Sequence, residues 1–262
     1  MDAIVIAGGI PEPGDLLYEN TQGQPKALLD ICGKPMVQWV LDALNRAETV
    51  DQVVIIGLTP DHGLVCPKIK AYIPDQGGML DNIKGGAHKV KELNPSAEFI
   101  LIVSSDIPGI TAEHVNWVVN TCMQTKDDLY YNVITQSTME ARYPGSKRSY
   151  LQLKDVKVCG GDMNVLRTSK VDENTAFWEQ MIATRKNALK QVLLIGVDTL
   201  LLVLLRQLDM QKAVEKVARK VNMSGKAILC PYAEVGMDVD KPFQLELMRA
   251  DLAKQGAGQG LA

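Results

Sequence analysis

The chain has 262 residues, with 28 Lys and Arg against 31 Asp and Glu, for a formal net charge of -3. Charges this close to balance create no bulk field for nucleic acid, and 5% aromatic content supplies no base-stacking platform, so no nucleic-acid partner is expected. The length suits one α/β domain with an elaborated lobe; Cys32, Cys66, Cys122, Cys159 and Cys230 are scattered without a Cys-x-x-Cys pair, which argues against a zinc knuckle and predicts reduced thiols in the cytoplasm.

Asp2 to Ala7 is an apolar run ending in Gly8-Gly9, a buried strand and turn. With no basic stretch before it, it reads as the first core strand and not as a signal peptide. Ile10 to Gln24, with Pro11, Pro13, Gly14 and Gly23, is too long and polar for a plain connector and predicts a functional loop. Met36 to Ala47 has Val37, Val40, Leu41 and Leu44 at helical spacing. Gln52 to Gly57 and Ile69 to Ile73 predict strands, and Gln76-Gly77-Gly78 turns into a helix from Met79 to Glu92. Glu98 to Ser104 is apolar on both faces, as a central parallel strand requires. Thr111 caps a helix reaching Thr125. This alternation of strand and helix predicts a doubly wound, mostly parallel, Rossmann-like α/β sheet.

The second half is less regular. Leu129 to Thr135 predicts a strand, and Met139 to Ser149 a loop or lobe. Tyr150 to Leu153 and Lys157 to Cys159 predict short strands before Gly160-Gly161-Asp162-Met163-Asn164, which Val165-Leu166-Arg167 extends. Asn174 to Arg185 should be helical. Leu189 to Leu208 is strongly apolar, but Lys190, Asp198 and Arg206 divide it. A membrane span needs about 20 apolar residues with few charges, so buried helices, or a contact with a second copy, are expected rather than stable membrane insertion. Met210 to Val221 is a charged amphipathic helix, Ala227 to Cys230 a strand and Pro242 to Leu252 a final helix before a glycine-rich tail, Gln255 to Ala262. The expected organisation is one domain over 1–262 with a small accessory lobe at about 136–230.

Four blocks carry chemistry: Ala7-Gly8-Gly9, Pro25-Lys26-Ala27-Leu28-Leu29 with Gly33-Lys34-Pro35-Met36, Ser105-Asp106-Ile107-Pro108, and Asp238-Val239-Asp240-Lys241-Pro242. Read alone, each has a plain structural explanation: a βα turn, a solvated lysine, a turn aspartate, a helix cap. The first block is neither Gly-x-Gly-x-x-Gly nor a P-loop. His62, His88 and His114 have no zinc spacing.

Together and in this order the blocks resemble the nucleotidyltransferase superfamily, the MobA-like and sugar-1-phosphate nucleotidyltransferase-like NTP transferases. The resemblance implies that Ala7, Gly8, Gly9 and Lys26 hold the nucleotide phosphates and that Gln76, Gly77, Gly78 and Asn82 form the base-recognition loop. It also implies that Asp106 and Asp240 bind Mg²⁺, with Asp238 in support, and that Lys26, Asp106 and Asp240 carry catalysis. Gly160, Gly161, Asp162 and Asn164 resemble the second glycine loop, which meets the acceptor, and Arg142, Lys147 and Arg148 form a basic cluster suited to an anionic acceptor.

One departure stands out. Most relatives carry an arginine in the loop after the glycines, whereas nothing between Gly9 and Lys26 is Arg or Lys; Glu12, Asp15 and Glu19 stand there instead. The implied activity is Mg²⁺-dependent transfer of an NMP from an NTP to a phosphorylated small-molecule acceptor, releasing pyrophosphate. Two alternatives stand beside it: a nucleotide- or sugar-phosphate-binding protein of the same fold without turnover, and a membrane-peripheral protein acting on a lipid-linked substrate.

Overall fold

The first strand sets the layers. In β1 (Asp2–Ile6), Ala3 and Val5 point to one face of the sheet and Ile4 to the other, and all three are fully buried. A strand buried on both faces needs helices above and below it. The computed structural model describes residues 1–184, 187–205 and 207–259. The expected helix end at Arg185, the charge of Arg206 and the end of the tail, Gly260 to Ala262, lie outside the described residues.

After β1 come a short helix α1 (Tyr18–Thr21), strands β2 (Asp30–Ile31) and β3 (Lys34–Pro35), which pair as a hairpin, and helix α2 (Met36–Arg46). Strands β4 (Val53–Ile56) and β5 (Ile69–Ile73), helix α3 (Met79–Leu93), strand β6 (Phe99–Ser104) and helix α4 (Ala112–Cys122) complete the first half. Then follow β7 (Leu129–Thr135), α5 (Gln136–Arg142), β8 (Leu151–Gln152), β9 (Lys157–Gly160) and β10 (Met163–Arg167). Helices α6 (Thr175–Ala183), α7 (Ala188–Ile195), α8 (Val197–Leu204) and α9 (Met210–Val221) precede strand β11 (Gly225–Leu229) and helix α10 (Pro242–Gln259).

Strands β5, β4, β1 and β6 lie side by side and parallel. On one face α2 and α4 pack Val37, Val40, Leu41, Val115 and Val118 against Ala3, Val5, Ile55 and Val103. On the other, α3 covers Ile4, Val54 and Ile56. Its Gly86 is needed for this approach: a Cβ there would lie 3.0 Å from Ile56 and 3.1 Å from Ile4. Thr111 caps α4, its hydroxyl accepting from the His114 N–H while His114 Nδ1 accepts from the Thr111 N–H.

The sheet continues antiparallel. β10 pairs with β6, and β9 and β10 both run antiparallel to β7, Gly160 opposite Val133 and Val165 opposite Tyr130. They amount to one strand bent at Gly161-Asp162. The Gly161 N–H donates to Asn132 O at 2.8 Å and carries the ladder through the bend. Beyond it the sheet forks, β10 lying against β6 and β9 against β8. β11 pairs parallel with β7.

Of the stretch 136–230 expected in an accessory lobe, β8 to β11 join the main sheet, while α6 to α9 pack outside it. Lys84 of α3 donates to Thr175 of α6 at 2.7 Å, so the added helices extend the α3 layer. The segment Met139 to Ser149, expected as a loop or lobe, begins with the last turn of α5, which Thr135 caps through its hydroxyl. The leucine-rich run is broken at Gly196 into α7 and α8; Val192 and Leu208 are buried, while Leu193, Val197 and Leu205 are exposed. Among the described residues, no helix is long and apolar enough to cross a membrane. The final helix extends past Leu252 to Gln259, because Gly256 and Gly258 lower helix propensity without breaking it.

Candidate active site

β1 and β6 are neighbours and parallel, so the segments after them emerge together at one edge of the sheet, where open α/β sheets bind ligands. The first is the glycine turn. Gly57, with φ +90°, lies directly beneath it; a Cβ there would strike the Gly8 backbone. A Cβ on Gly8 would strike the carboxylate of Asp75, whereas at Gly9 nothing lies within 4 Å. Gly8 is therefore small to admit Asp75, and Gly9 is the part of the turn that faces open space.

Asp75 is held by its own loop. Asn82 Nδ2 donates to its Oδ1 at 2.6 Å and the Gly77 N–H to its Oδ2 at 3.1 Å. Asn82 is buried and its Oδ1 also accepts from the Gln76 N–H at 2.7 Å. Gly77, at φ +91°, makes the turn, and Gly78 starts α3. The Gln76-to-Asn82 loop and the Ala7-to-Gly9 turn thus meet through Asp75.

Lys26 reaches the same edge. Its backbone N–H donates to Gly9 O at 2.8 Å, which fixes the Pro25-Lys26 turn beside the glycines. Its ammonium contacts Asp106 Oδ2 at 2.5 Å and Asp240 Oδ1 at 2.7 Å. Burial alone would lower the Lys26 pKa; the two carboxylates outweigh it and hold the ammonium well above the ordinary lysine value. Ser104 Oγ donates to Asp106 Oδ1 at 2.5 Å, and the Val239 N–H donates to Asp106 O at 2.9 Å. That backbone bond brings the Asp238-to-Asp240 segment across. Val239 turns into the core, and the flanking aspartates take separate cations: Asp240 takes Lys26 and Asp238 takes Arg148.

Asp162 stands at the bend of β9 and β10. Its N–H donates to Val235 O at 2.8 Å and its carbonyl accepts from the Ser104 N–H at 2.9 Å, which sets it beside the Asp106 strand end. Its Oδ2 is buried without a hydrogen-bond partner and lies 3.8 Å from Arg148 Nη2. Burial, with Asp106 and Asp240 adding to it against Arg148 and Lys26, pushes this carboxyl up to about 7. Sequence reasoning placed Asp162 in the glycine loop expected to meet the acceptor and passed over Asp75. The signal for both was a carboxylate within two residues of a Gly-Gly pair.

The other expected acceptor residues are dispersed. Arg142 bonds Glu234 at 2.8 Å and both oxygens of Asp251 at 2.8 and 2.6 Å, away from Lys26. Lys147 lies 5.0 Å from the Phe243 ring. Asn164 braces the bend, accepting from the Asn132 N–H at 2.8 Å and donating to Gly161 O at 3.0 Å.

Charge tests whether these residues suit a divalent cation. Asp106, Asp162, Asp238 and Asp240 face Lys26 and Arg148, a formal surplus of two negative charges when all are ionised. Among the described residues no three His, Cys, Asp or Glu groups stand together as a ready-made metal cage. Two carboxylates do converge on one point, which an ammonium fills, and an unpaired buried oxygen lies in the same cluster. Oxygen donors with surplus negative charge fit a hard cation such as Mg²⁺, which binds through one or two carboxylates plus substrate phosphates.

Comparison with known proteins gives a consistent result. The MobA-like NTP transferase domain matches residues 3–236. A solved hypothetical transferase from Thermus thermophilus superposes with a TM-score of 0.79 at 32% identity, over 93% of this chain and 98% of that one. A 3-deoxy-manno-octulosonate cytidylyltransferase from Aliivibrio salmonicida is 31% identical over 98 residues, 36% of this chain and 38% of its own length. The bifunctional protein GlmU of Thermoanaerobacter pseudethanolicus is 28% identical over 99 residues, 37% of this chain and 21% of its own length. The matched stretches thus span only about a fifth to a half of these curated relatives and of a ribitol-5-phosphate cytidylyltransferase from Streptococcus agalactiae, matched over 52% of its length. The match to the transferase domain takes in the glycine turn, Lys26 and Asp106, and the chain belongs to the MobA-like NTP transferase family.

Proposed function

We propose that this protein is a Mg²⁺-dependent nucleotidyltransferase that moves an NMP from an NTP to a phosphorylated small-molecule acceptor. The observation that carries the reading is the convergence of Lys26, Asp106 and Asp240 beside the glycine turn. In the reaction an acceptor phosphate oxygen attacks the α-phosphorus, the bond from that phosphorus to the β-phosphate oxygen breaks, and pyrophosphate leaves with the bonding electrons. The attacking oxygen is already ionised, so no general base is needed, and catalysis comes from positioning and charge neutralisation.

Ala7, Gly8 and Gly9 offer backbone to the phosphates, and Lys26 neutralises the β/γ end. Gln76, Gly77, Gly78 and Asn82 form the base side, shaped by Asp75. A magnesium ion held by Asp106 and Asp240 would supply charge stabilisation at the α-phosphate. Asp238 acts through Arg148, which with Lys147, Gly161 and Asn164 lines the acceptor side, and Arg142 serves as a brace. The whole chain works as one transferase domain. The missing loop cation favours one alternative, a binding protein without turnover.

The test is pyrophosphate release from a panel of NTPs and phosphorylated acceptors with Mg²⁺. The names of the cytidylyltransferase relatives make CTP and pentitol phosphates the first members, with an unphosphorylated sugar acid as the contrasting acceptor. Release with one pair, lost on Asp106→Asn, supports transfer; tight NTP binding without release across the panel supports the alternative.

A further inference from the structure

We propose that the Lys26 ammonium is the resident cation of the Asp106–Asp240 pair, so that a divalent cation and a polyphosphate enter this site interdependently. The proposal rests on reading Asp106 and Asp240 as the cation ligands.

The geometry is that of an occupied position. One nitrogen lies 2.5 Å from Asp106 and 2.7 Å from Asp240, so the two carboxylate oxygens it joins come from segments 134 residues apart and converge on it. The Lys26 side chain is 18% exposed and that of Asp106 13% exposed, which leaves little water to screen the contact. A metal ion approaching these oxygens meets a positive charge already there and must displace it. Displacement leaves a mostly buried ammonium unpaired, which is costly unless another anion receives it. Among the described residues the carboxylate nearest Gly8 is Asp75, and both of its oxygens already accept hydrogen bonds, from Asn82 and from the Gly77 N–H.

A polyphosphate provides that anion. The backbone of Lys26 is tied to Gly9 by its N–H, so the side chain pivots from a fixed base beside the open face of the turn. Phosphate oxygens at Gly9 would receive the ammonium and release the carboxylate pair to a cation. Lysine suits this exchange because its ammonium is a point charge on a flexible stem, with no planar fork to realign. The coupling is reciprocal by thermodynamic necessity: whatever the polyphosphate contributes to cation affinity, the cation contributes to polyphosphate affinity.

The test is Mn²⁺ binding to nucleotide-free protein, read by electron paramagnetic resonance of the free ion, with folding checked by circular dichroism. Lys26→Met removes the charge and should bind Mn²⁺ about tenfold or more tightly than wild type, within the usual range of coupling between sites. Lys26→Gln is the second neutral variant, used if Lys26→Met does not fold. Lys26→Arg keeps the charge and should stay as weak as wild type. Equal Mn²⁺ affinity in wild type and the neutral variant, no binding by the neutral variant, or tight binding by Lys26→Arg overturns the proposal. The double variant Lys26→Met/Asp106→Asn separates the two levels. If it binds as well as Lys26→Met, the reading of Asp106 as a ligand fails. If binding needs Asp106 but ignores Lys26, only the proposal fails.

Discussion

Lys26 and Arg142 each stand between two carboxylates from distant parts of the chain, and the two places differ in kind. Lys26 touches Asp106 and Asp240 with a single nitrogen at the open edge of the sheet. Arg142 spreads three nitrogens over Glu234 and both oxygens of Asp251, tying α5 to the segment before Asp238 and to α10. The hydrogen bonds to Asp251 lead in raising the guanidinium pKa above its ordinary value. The fork of Arg142 matches a carboxylate edge to edge, and its geometry resists exchange. The ammonium of Lys26 sets no such plane. The difference separates a clamp from a site: charge alone does not mark function, but charge held in an exchangeable form at a strand end does.

The largest effect should come from Asp106→Asn. Steady-state turnover should fall roughly 10²–10³-fold, the scale for losing one key electrostatic group, with the melting temperature little changed. A variant that loses stability instead, with turnover per folded molecule intact, would make the Lys26 cluster a second clamp. Next is Lys26→Ala. Calorimetry should show triphosphate binding about tenfold weaker, with nucleoside monophosphate much less affected, because a hydrogen-bonded charge is lost at the β/γ end. Equal weakening of both ligands would move Lys26 away from that end.

Arg142→Ala should do the reverse. Denaturant unfolding should show a loss of about 1–2 kcal/mol, reduced from the value for a fully buried pair because the arginine is partly exposed, while turnover per folded molecule is kept. A large loss of acceptor affinity in this variant would return Arg142 to the acceptor side.

The smallest effect concerns Asp162, a carboxylate beside both kinds of cation with its buried oxygen bonded to neither. Its carboxyl is raised to about 7 in the folded protein, above the ordinary carboxylate value of 3.8. Between those values the folded chain holds the proton that the unfolded chain has released. The difference in bound protons, unfolded minus folded, is then negative, and stability falls as pH rises from about 4 to about 7. Comparing unfolding curves of wild type and Asp162→Asn across that window should show a slope, on the order of 1 kcal/mol in total, that the variant lacks. Parallel curves would mean that the carboxyl stays ionised.

The parts of this design legible in the sequence are the local ones. The apolar run at Phe99 to Ser104, the helical spacing from Val37 to Leu44 and the Thr111 cap each report a burial face or a helix end within a few residues. The glycine turn and Lys26 were picked out by the resemblance of their blocks to a known family, and the structure joins them by a backbone hydrogen bond. Partner choice was not readable. Nothing near Arg142 distinguishes it from Arg148, yet one meets Asp251 and the other Asp238. Those pairings follow from which segments the sheet brings together. The position of Asp162 was hidden for the same reason: it depends on a bend that joins two short strands into one. The break at Gly196 was hidden because leucine spacing continues across it.

Gly57 carries a consequence for genetics. It sits at the back of the glycine turn, and any side chain at that position would push the Gly8 backbone forward. Substitution there should mimic a lesion in the substrate pocket without touching any ligand. A loss-of-function screen would therefore score position 57 beside Lys26 and Asp106. Its second-site suppressors should map to the turn between Ala7 and Gly9 rather than to the core that surrounds β4.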